Sequence, residues 1–129
     1  MAYILVVDDE DQFLETISMM VTELEHTAIQ AKSGNAALSY LKKNPDIQVV
    51  ISDLVMPNGT GQELLEGIRN TESLKHIPVI LLSDKLSMKD IEELLHKGAT
   101  YFLPKPARLG ALAEYLERAL ERHVEDNGS

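Results

Sequence analysis

Five positions scattered along the 129-residue chain carry groups able to do chemistry together: the carboxylates Asp8, Asp9 and Asp53, the hydroxyl of Ser83 and the ammonium of Lys105. Each stands where an apolar run stops. Tyr3 to Val7 runs into Asp8-Asp9-Glu10-Asp11, Val49-Val50-Ile51-Ser52 into Asp53, Val79 to Leu82 into Ser83, and Tyr101 to Leu103 into Pro104 and Lys105. Carboxylates gathered without compensation raise one another's pKa by like-charge repulsion, so such a cluster is either solvated or binds a hard cation. Magnesium suits it, because it takes oxygen ligands from one or two carboxylates together with waters and a phosphate. Beside that cation and Lys105, Asp53 is equipped to attack a phosphoryl group and become an aspartyl phosphate, with Ser83 hydrogen-bonding a phosphoryl oxygen. A lone strand-end Asp reads first as a helix cap, so the assignment depends on the other groups converging on it.

Their convergence requires a particular frame. Strand-like runs alternate with helix-like segments from end to end, the pattern of βαβ units around a parallel sheet. Val49, Val50 and Ile51 lack polar alternation and read as a central strand buried on both faces. In a right-handed parallel sheet the carboxyl ends of all strands lie along one edge, where open α/β sheets bind ligands. Pro57 stops the central strand, and Asn58-Gly59 supplies turn chemistry.

The remaining punctuation agrees. Phe13, Ile17, Met20, Val21 and Leu24 make one apolar helical stripe. Thr27 to Ala31 is the weakest strand, diluted by Ala and Gln, and a helix through Ala37, Leu38 and Leu41 stops at Asn44-Pro45. Thr60 with Glu63, and Ser87 with Asp90, are capping pairs for two further helices, the second closing at Gly98. Leu109, Leu112, Leu116, Ala119 and Leu120 mark a last helix without a good N-cap residue.

Composition narrows the classes. The length fits one domain. Apolar content of 44% with only 5% aromatic points to a Val/Ile/Leu/Ala core in α/β layers. The absence of cysteine removes disulfides, thiolate chemistry and Cys-based zinc sites. A net charge of −9 argues against nucleic-acid binding and for cations or a basic partner surface. The apolar runs are too short to span a bilayer and no basic leader precedes the first, so a soluble, cytoplasmic protein is expected. The four histidines show no ligand spacing and read as surface residues, and the methionines as core fillers.

The chain resembles the receiver domain of two-component response regulators over nearly its whole length. The resemblance rests on Val6-Val7-Asp8-Asp9-Glu10, on Asp53-Leu54-Val55-Met56-Pro57 with Gly61 beyond, on Ser83 and on Lys105-Pro106. Their separations of 44 (9 to 53), 30 (53 to 83) and 22 (83 to 105) residues are similar to that family's. It implies a flavodoxin-like α/β fold, a single doubly wound (βα)5 three-layer sandwich with strand order 2-1-3-4-5, spanning 1–123 with a frayed tail at 124–129. It also implies Asp53 as phosphoacceptor and Lys105 as phosphoryl-binding group. Magnesium, with manganese as a substitute, would be held by Asp9, Asp53, the backbone carbonyl of Val55 and, through water, Asp8. Ser83 and Phe102 would be a switch pair repacking the face of the fourth helix, fifth strand and fifth helix. The expected partners are a histidine kinase or phosphotransfer protein and a downstream protein or output domain, with a homodimer on phosphorylation as a further expectation. Turnover of external substrates is not expected.

The resemblance marks three positions for access or lifetime. Asp84 stands where the family usually has a small residue, and either narrows the path to Asp53 or points away as a solvated loop carboxylate. Lys85 and Val55 occupy positions that tune dephosphorylation in the family the chain resembles, and apolar Val55 cannot hydrogen-bond an attacking water. Tyr101, Leu103 and the edge around Ala107 are candidates for the output contact. Two rivals remain: a pseudo-receiver that binds without phosphoryl chemistry, and a magnesium-dependent phosphatase, for which Asp8-Asp9-Glu10 lacks the Asp-x-Asp motif of the haloacid-dehalogenase-like family.

Overall fold

The computed structural model describes the backbone of residues 1–56, 60–84 and 87–128, with side chains described as far as 122. Expectations placed on Pro57, Asn58, Gly59 and Lys85 therefore fall outside the described residues. The chain alternates β1 (Tyr3–Val7), α1 (Asp11–Glu23), β2 (Thr27–Ala31), α2 (Gly34–Lys43), β3 (Ile47–Asp53), α3 (Gly61–Arg69), β4 (Val79–Ser83), α4 (Met88–His96), β5 (Tyr101–Pro104) and α5 (Leu109–Gly128). The strands form one parallel sheet, as the alternation of strands and helices predicts, in the order β2-β1-β3-β4-β5 that the resemblance implies. The last helix continues past position 124.

Period-two alternation divides the strands between two apolar layers. Leu5, Val7, Val50 and Leu81 pack with Leu41 of α2, Leu64, Leu65 and Ile68 of α3, and Leu94 of α4. Ile4, Val6, Val49, Ile51, Ile80 and Leu82 pack with Leu14, Ile17 and Val21 of α1 and Leu112, Leu116 and Ala119 of α5. Ile47 breaks the parity: it joins the first layer, although Val49, two residues on, joins the second. A register shift between Tyr3 and Ile4, where the partners step from Ile47 to Val49, accounts for it, since one extra residue turns a strand's side chains to the other face.

The local signals hold in detail. Thr60 Oγ1 accepts from the Glu63 amide at 3.1 Å while Glu63 Oε1 accepts from the Thr60 amide at 3.2 Å, and Ser87 and Asp90 repeat the arrangement at α4. Gly98 has φ +104°, the left-handed conformation a helix C-terminus uses glycine for. The diluted strand, β2, is an edge strand that pairs only with β1 and is half-exposed. Pro104 ends the opposite edge strand, where its missing donor costs no ladder bond.

Four burial assignments change, at Leu103, His26, Met19 and Met88. Leu103 is 3% exposed and packs in the α1/α5 layer, because it shares strand parity with Tyr101, so it offers nothing to a partner. His26 is half-buried, its Nδ1 accepting from the Ala2 amide at 3.0 Å, and burial lowers its pKa. Met56 is a core residue, whereas Met19 and Met88 are exposed.

Candidate functional site

Each predicted group is carried to one crevice by the end of a strand. Parallel pairing aligns Val7 with both Ala31 and Ser52, Asp53 with Leu82, and Ser83 with Pro104, so residues just past these pairs share one edge of the sheet. Backbone bonds tie the ends together: the amide of Leu54 donates to the Leu82 carbonyl at 3.0 Å, and that of Lys105 to the Ser83 carbonyl at 3.0 Å. Gly61, at the start of α3, lies against the turn beyond Asp53. A Cβ there would sit 2.5 Å from the Asp53 carbonyl oxygen and 2.8 Å from Leu54 Cα, so only glycine lets α3 approach this closely.

At the centre is Lys105. Its Nζ donates to Asp8 Oδ2 at 3.1 Å and pairs with Asp53 Oδ2 at 3.2 Å, and the side chain is only 12% exposed. Asp8 is buried, and its second oxygen accepts from the Glu10 amide at 3.0 Å. Asp9 is exposed, and one oxygen from each of Asp8, Asp9 and Asp53 can be chosen so that all three lie within 4.8 Å of one another. Ser83 is buried at the end of β4.

The electrostatics follow. Burial raises the pKa of Asp53 above the usual carboxylate value and the charge of Asp8 adds to this, while Lys105 and the Val55 amide oppose it. Burial disfavours the charged form of Lys105, but its hydrogen bond to Asp8 and the charges of Asp53 and Asp8 outweigh that and hold its pKa above the ordinary lysine value. The crevice therefore contains an ammonium fixed as a cation and a carboxylate that loses its proton less readily than a solvated one.

A cleft of about 520 Å³ opens onto these groups, lined by Asp53, Ser83 and Lys105 together with Glu10, Phe13, Val55, Asp84 and Pro106. Asp84 is exposed on its wall, and it also lines a neighbouring cavity of about 480 Å³ with Thr60, Asp90 and Glu93. Val55 is 72% exposed at the mouth. Phe102 is half-buried on the opposite layer from Tyr101, packed against the α2/α3/α4 cluster. Asp11, at the start of α1, pairs with Lys32 at 2.7 Å and belongs to the helix terminus.

Sequence reading missed Phe13, whose ring centroid lies 4.2 Å from Lys105 Nζ. The only signal was its position at the first apolar place of α1, four residues after Asp9, and that spacing reads equally as core.

The geometry has close counterparts among known proteins. The family model described as "Response regulator receiver domain" matches residues 4–117. The chemotaxis protein CheY4 of Vibrio cholerae superposes with a TM-score of 0.87 at 31% identity, over 93% of this chain and 99% of that one. A response regulator receiver domain protein from Clostridium thermocellum gives 0.87 at 28% identity, over 95% and 96%. The rice two-component response regulator ORR3 is 31% identical over 118 residues, which are 92% of this chain and 90% of its own length. The chain spans 57% of rice ORR7 and 17% of the response regulator-like PRR37. Among the described residues no helix is long and apolar enough to cross a membrane.

Proposed function

The chain belongs to the response regulator receiver domain family of two-component systems, and from that premise we propose that Asp53 is its phosphoacceptor. The donor is the phosphohistidine of a histidine kinase or phosphotransfer protein in the cytoplasm. The observation that carries the proposal is the bridging of Asp8 and Asp53 by one part-buried ammonium that lines a cleft. Drawing Lys105 in from solvent costs desolvation, which its two carboxylate partners oppose, so the placement is one that the pairing with Asp8 and Asp53 maintains.

In the transfer an Asp53 carboxylate oxygen attacks phosphorus in line with the leaving nitrogen. The P–N bond breaks as the O–P bond forms, and its electron pair returns to the imidazole, which takes a proton from solvent. Lys105 exchanges its contact with Asp53 Oδ2 for a phosphoryl oxygen, and Ser83 hydrogen-bonds another. The all-oxygen set of Asp8, Asp9 and Asp53 fits magnesium, or manganese in its stead. Both oxygens of Asp8 already accept hydrogen bonds, which supports an indirect role for it and direct ligation by Asp9, Asp53 and the Val55 carbonyl. A bound ion supplies positive charge to the transferring oxygens.

Phosphorylation draws Ser83 toward the new acceptors, and the half-buried Phe102 follows into the vacated space, shifting the α4/β5/α5 face toward the form that a downstream protein, an output domain or a second copy reads. Because Leu103 is buried, the readable apolar surface on this side is Tyr101, Ile91 and Leu95. The test is intact mass after incubation with acetyl phosphate and magnesium. A phosphate-sized gain in the parent, absent in Asp53→Asn, is expected. No gain, with the donor active on a control receiver, marks a pseudo-receiver.

A further inference from the structure

Phe13 is an apolar ring that belongs to neither apolar layer. Its neighbour Leu14 and, one turn on, Ile17 take the core positions of α1, while Phe13 is half-buried on the wall of the cleft that holds Asp53, Ser83 and Lys105. What it does touch is the ammonium, 4.2 Å from the ring centroid to Lys105 Nζ, well inside the range at which an aromatic face attracts a cation. We propose that Phe13 is a positioning residue for Lys105, its ring forming the third side of a seat that keeps the ammonium aimed at the phosphoacceptor. The inference rests on the reading of Asp53 as that acceptor.

An ammonium has three donors and no acceptor. Here one donor faces Asp8, one faces Asp53, and the ring of Phe13 meets the cation on a further side. Only the Asp53 contact must be released when a phosphoryl oxygen arrives, so Asp8 and Phe13 are the two holds that persist through the transfer. Asp8 supplies charge and direction. The ring supplies attraction without a hydrogen bond, and it excludes water from one side of a group that would otherwise be drawn out toward solvent on its flexible stem. A leucine at the same position would fill space without the quadrupole, which separates positioning from packing.

The experiment compares the full chain with Phe13→Leu, Phe13→Tyr and Phe13→Trp. In metal-free protein labelled with 13C-lysine, the Lys105 ε-methylene protons of the parent resonate upfield of the other lysines by the ring current of Phe13. Tyr and Trp keep that displacement and Leu abolishes it. With acetyl phosphate and magnesium, where the acetyl–oxygen bond to phosphorus breaks and acetate leaves, Phe13→Leu acquires phosphate about fivefold more slowly, on the scale of a partly desolvated cation–π contact. Phe13→Tyr stays within about twofold of the parent. Equal rates for the parent and Phe13→Leu overturn the role, as does an undisplaced Lys105 resonance in the parent, a measurement that needs no variant to fold. If Leu and Tyr slow the reaction equally while the Tyr resonance stays displaced, Phe13 is only packing and the inference falls. A parent that takes no phosphate at all, whatever its Lys105 resonance, overturns the proposed function and this role with it.

Discussion

Two cationic side chains are drawn into this molecule at opposite edges of the sheet, and they are held in contrasting ways. Lys105 follows β5 and is bound by two carboxylates and a ring. Arg69 ends α3 and faces the segments that lead into β4 and β5. Its Nε and Nη2 donate to the Gly98 carbonyl at 3.0 and 2.8 Å, and its Nη1 donates to those of Lys75 and Ile77 at 3.1 and 2.6 Å. A planar guanidinium satisfies several fixed carbonyls at once and has no reason to move. An ammonium between two carboxylates can trade one partner for another, and each of those partners is disfavoured without it. The guanidinium is a clamp; the ammonium, under the proposed function, is the contact exchanged in the transfer, and the chemistry of the cation separates the two.

Removing each cation is the sharpest way to break the comparison. Lys105→Ala is expected to slow phosphorylation from acetyl phosphate by at least about 100-fold, as loss of a transition-state donor does, while the protein still folds. Arg69→Ala should do the reverse. Stripping the donors from three backbone carbonyls costs about 3 kcal/mol and lowers the melting temperature by about 10 °C, with the phosphorylation rate of the folded protein within about twofold of the parent. Arg69→Lys should recover little of this stability, since an ammonium cannot reproduce the fork. If thermal melts instead show Lys105 to be the more stabilising of the two, the division into clamp and switch is wrong.

A pH series tests the carboxylate side of the same contact. The pKa of Asp53 is raised in the folded protein, so the native state holds its proton to higher pH than the unfolded chain does. Stability therefore falls as pH rises from the ordinary carboxylate pKa to the raised one, and stays lowered above it. Asp53→Asn removes that loss. In metal-free protein it should melt above the parent at neutral pH, and the advantage should shrink as pH falls below the raised pKa and vanish by the ordinary carboxylate value. A constant difference at every pH would mean that the ionisation of Asp53 carries no folding cost. The smallest effect belongs to the wall of the cleft. Asp84→Ala should quicken phosphorylation by acetyl phosphate only about two- to threefold, since an exposed carboxylate is screened by solvent. Equal rates would show that Asp84 does not guard the site.

Much of this was readable from residue types. Val49 to Ile51 announced a strand buried on both faces, and Thr60/Glu63 and Ser87/Asp90 announced two helix starts whose reciprocal bonds are all formed. These are local rules, in which a residue's neighbours in sequence are its neighbours in space. The register shift that turns Ile47 to the opposite layer from Val49 left no such mark, because it depends on how β3 lies against β1. Leu103 was read as surface for the same reason. A short strand's two faces look alike until the helices that cover them are placed.

By itself the sequence determined the alternation of strands and helices, the group that ends each strand, and so the membership of one edge: Asp8, Asp9, Asp53, Ser83 and Lys105. Only the tertiary structure decided that Lys105 would divide itself between Asp8 and Asp53, that the ring of Phe13 would close over it, and that Arg69 would tie the far edge to three carbonyls. The physical reason is separation along the chain. Strand ends are specified by residues a few positions apart, whereas Lys105 and Asp8 are 97 residues apart, and their meeting is set by the packing of every element between them.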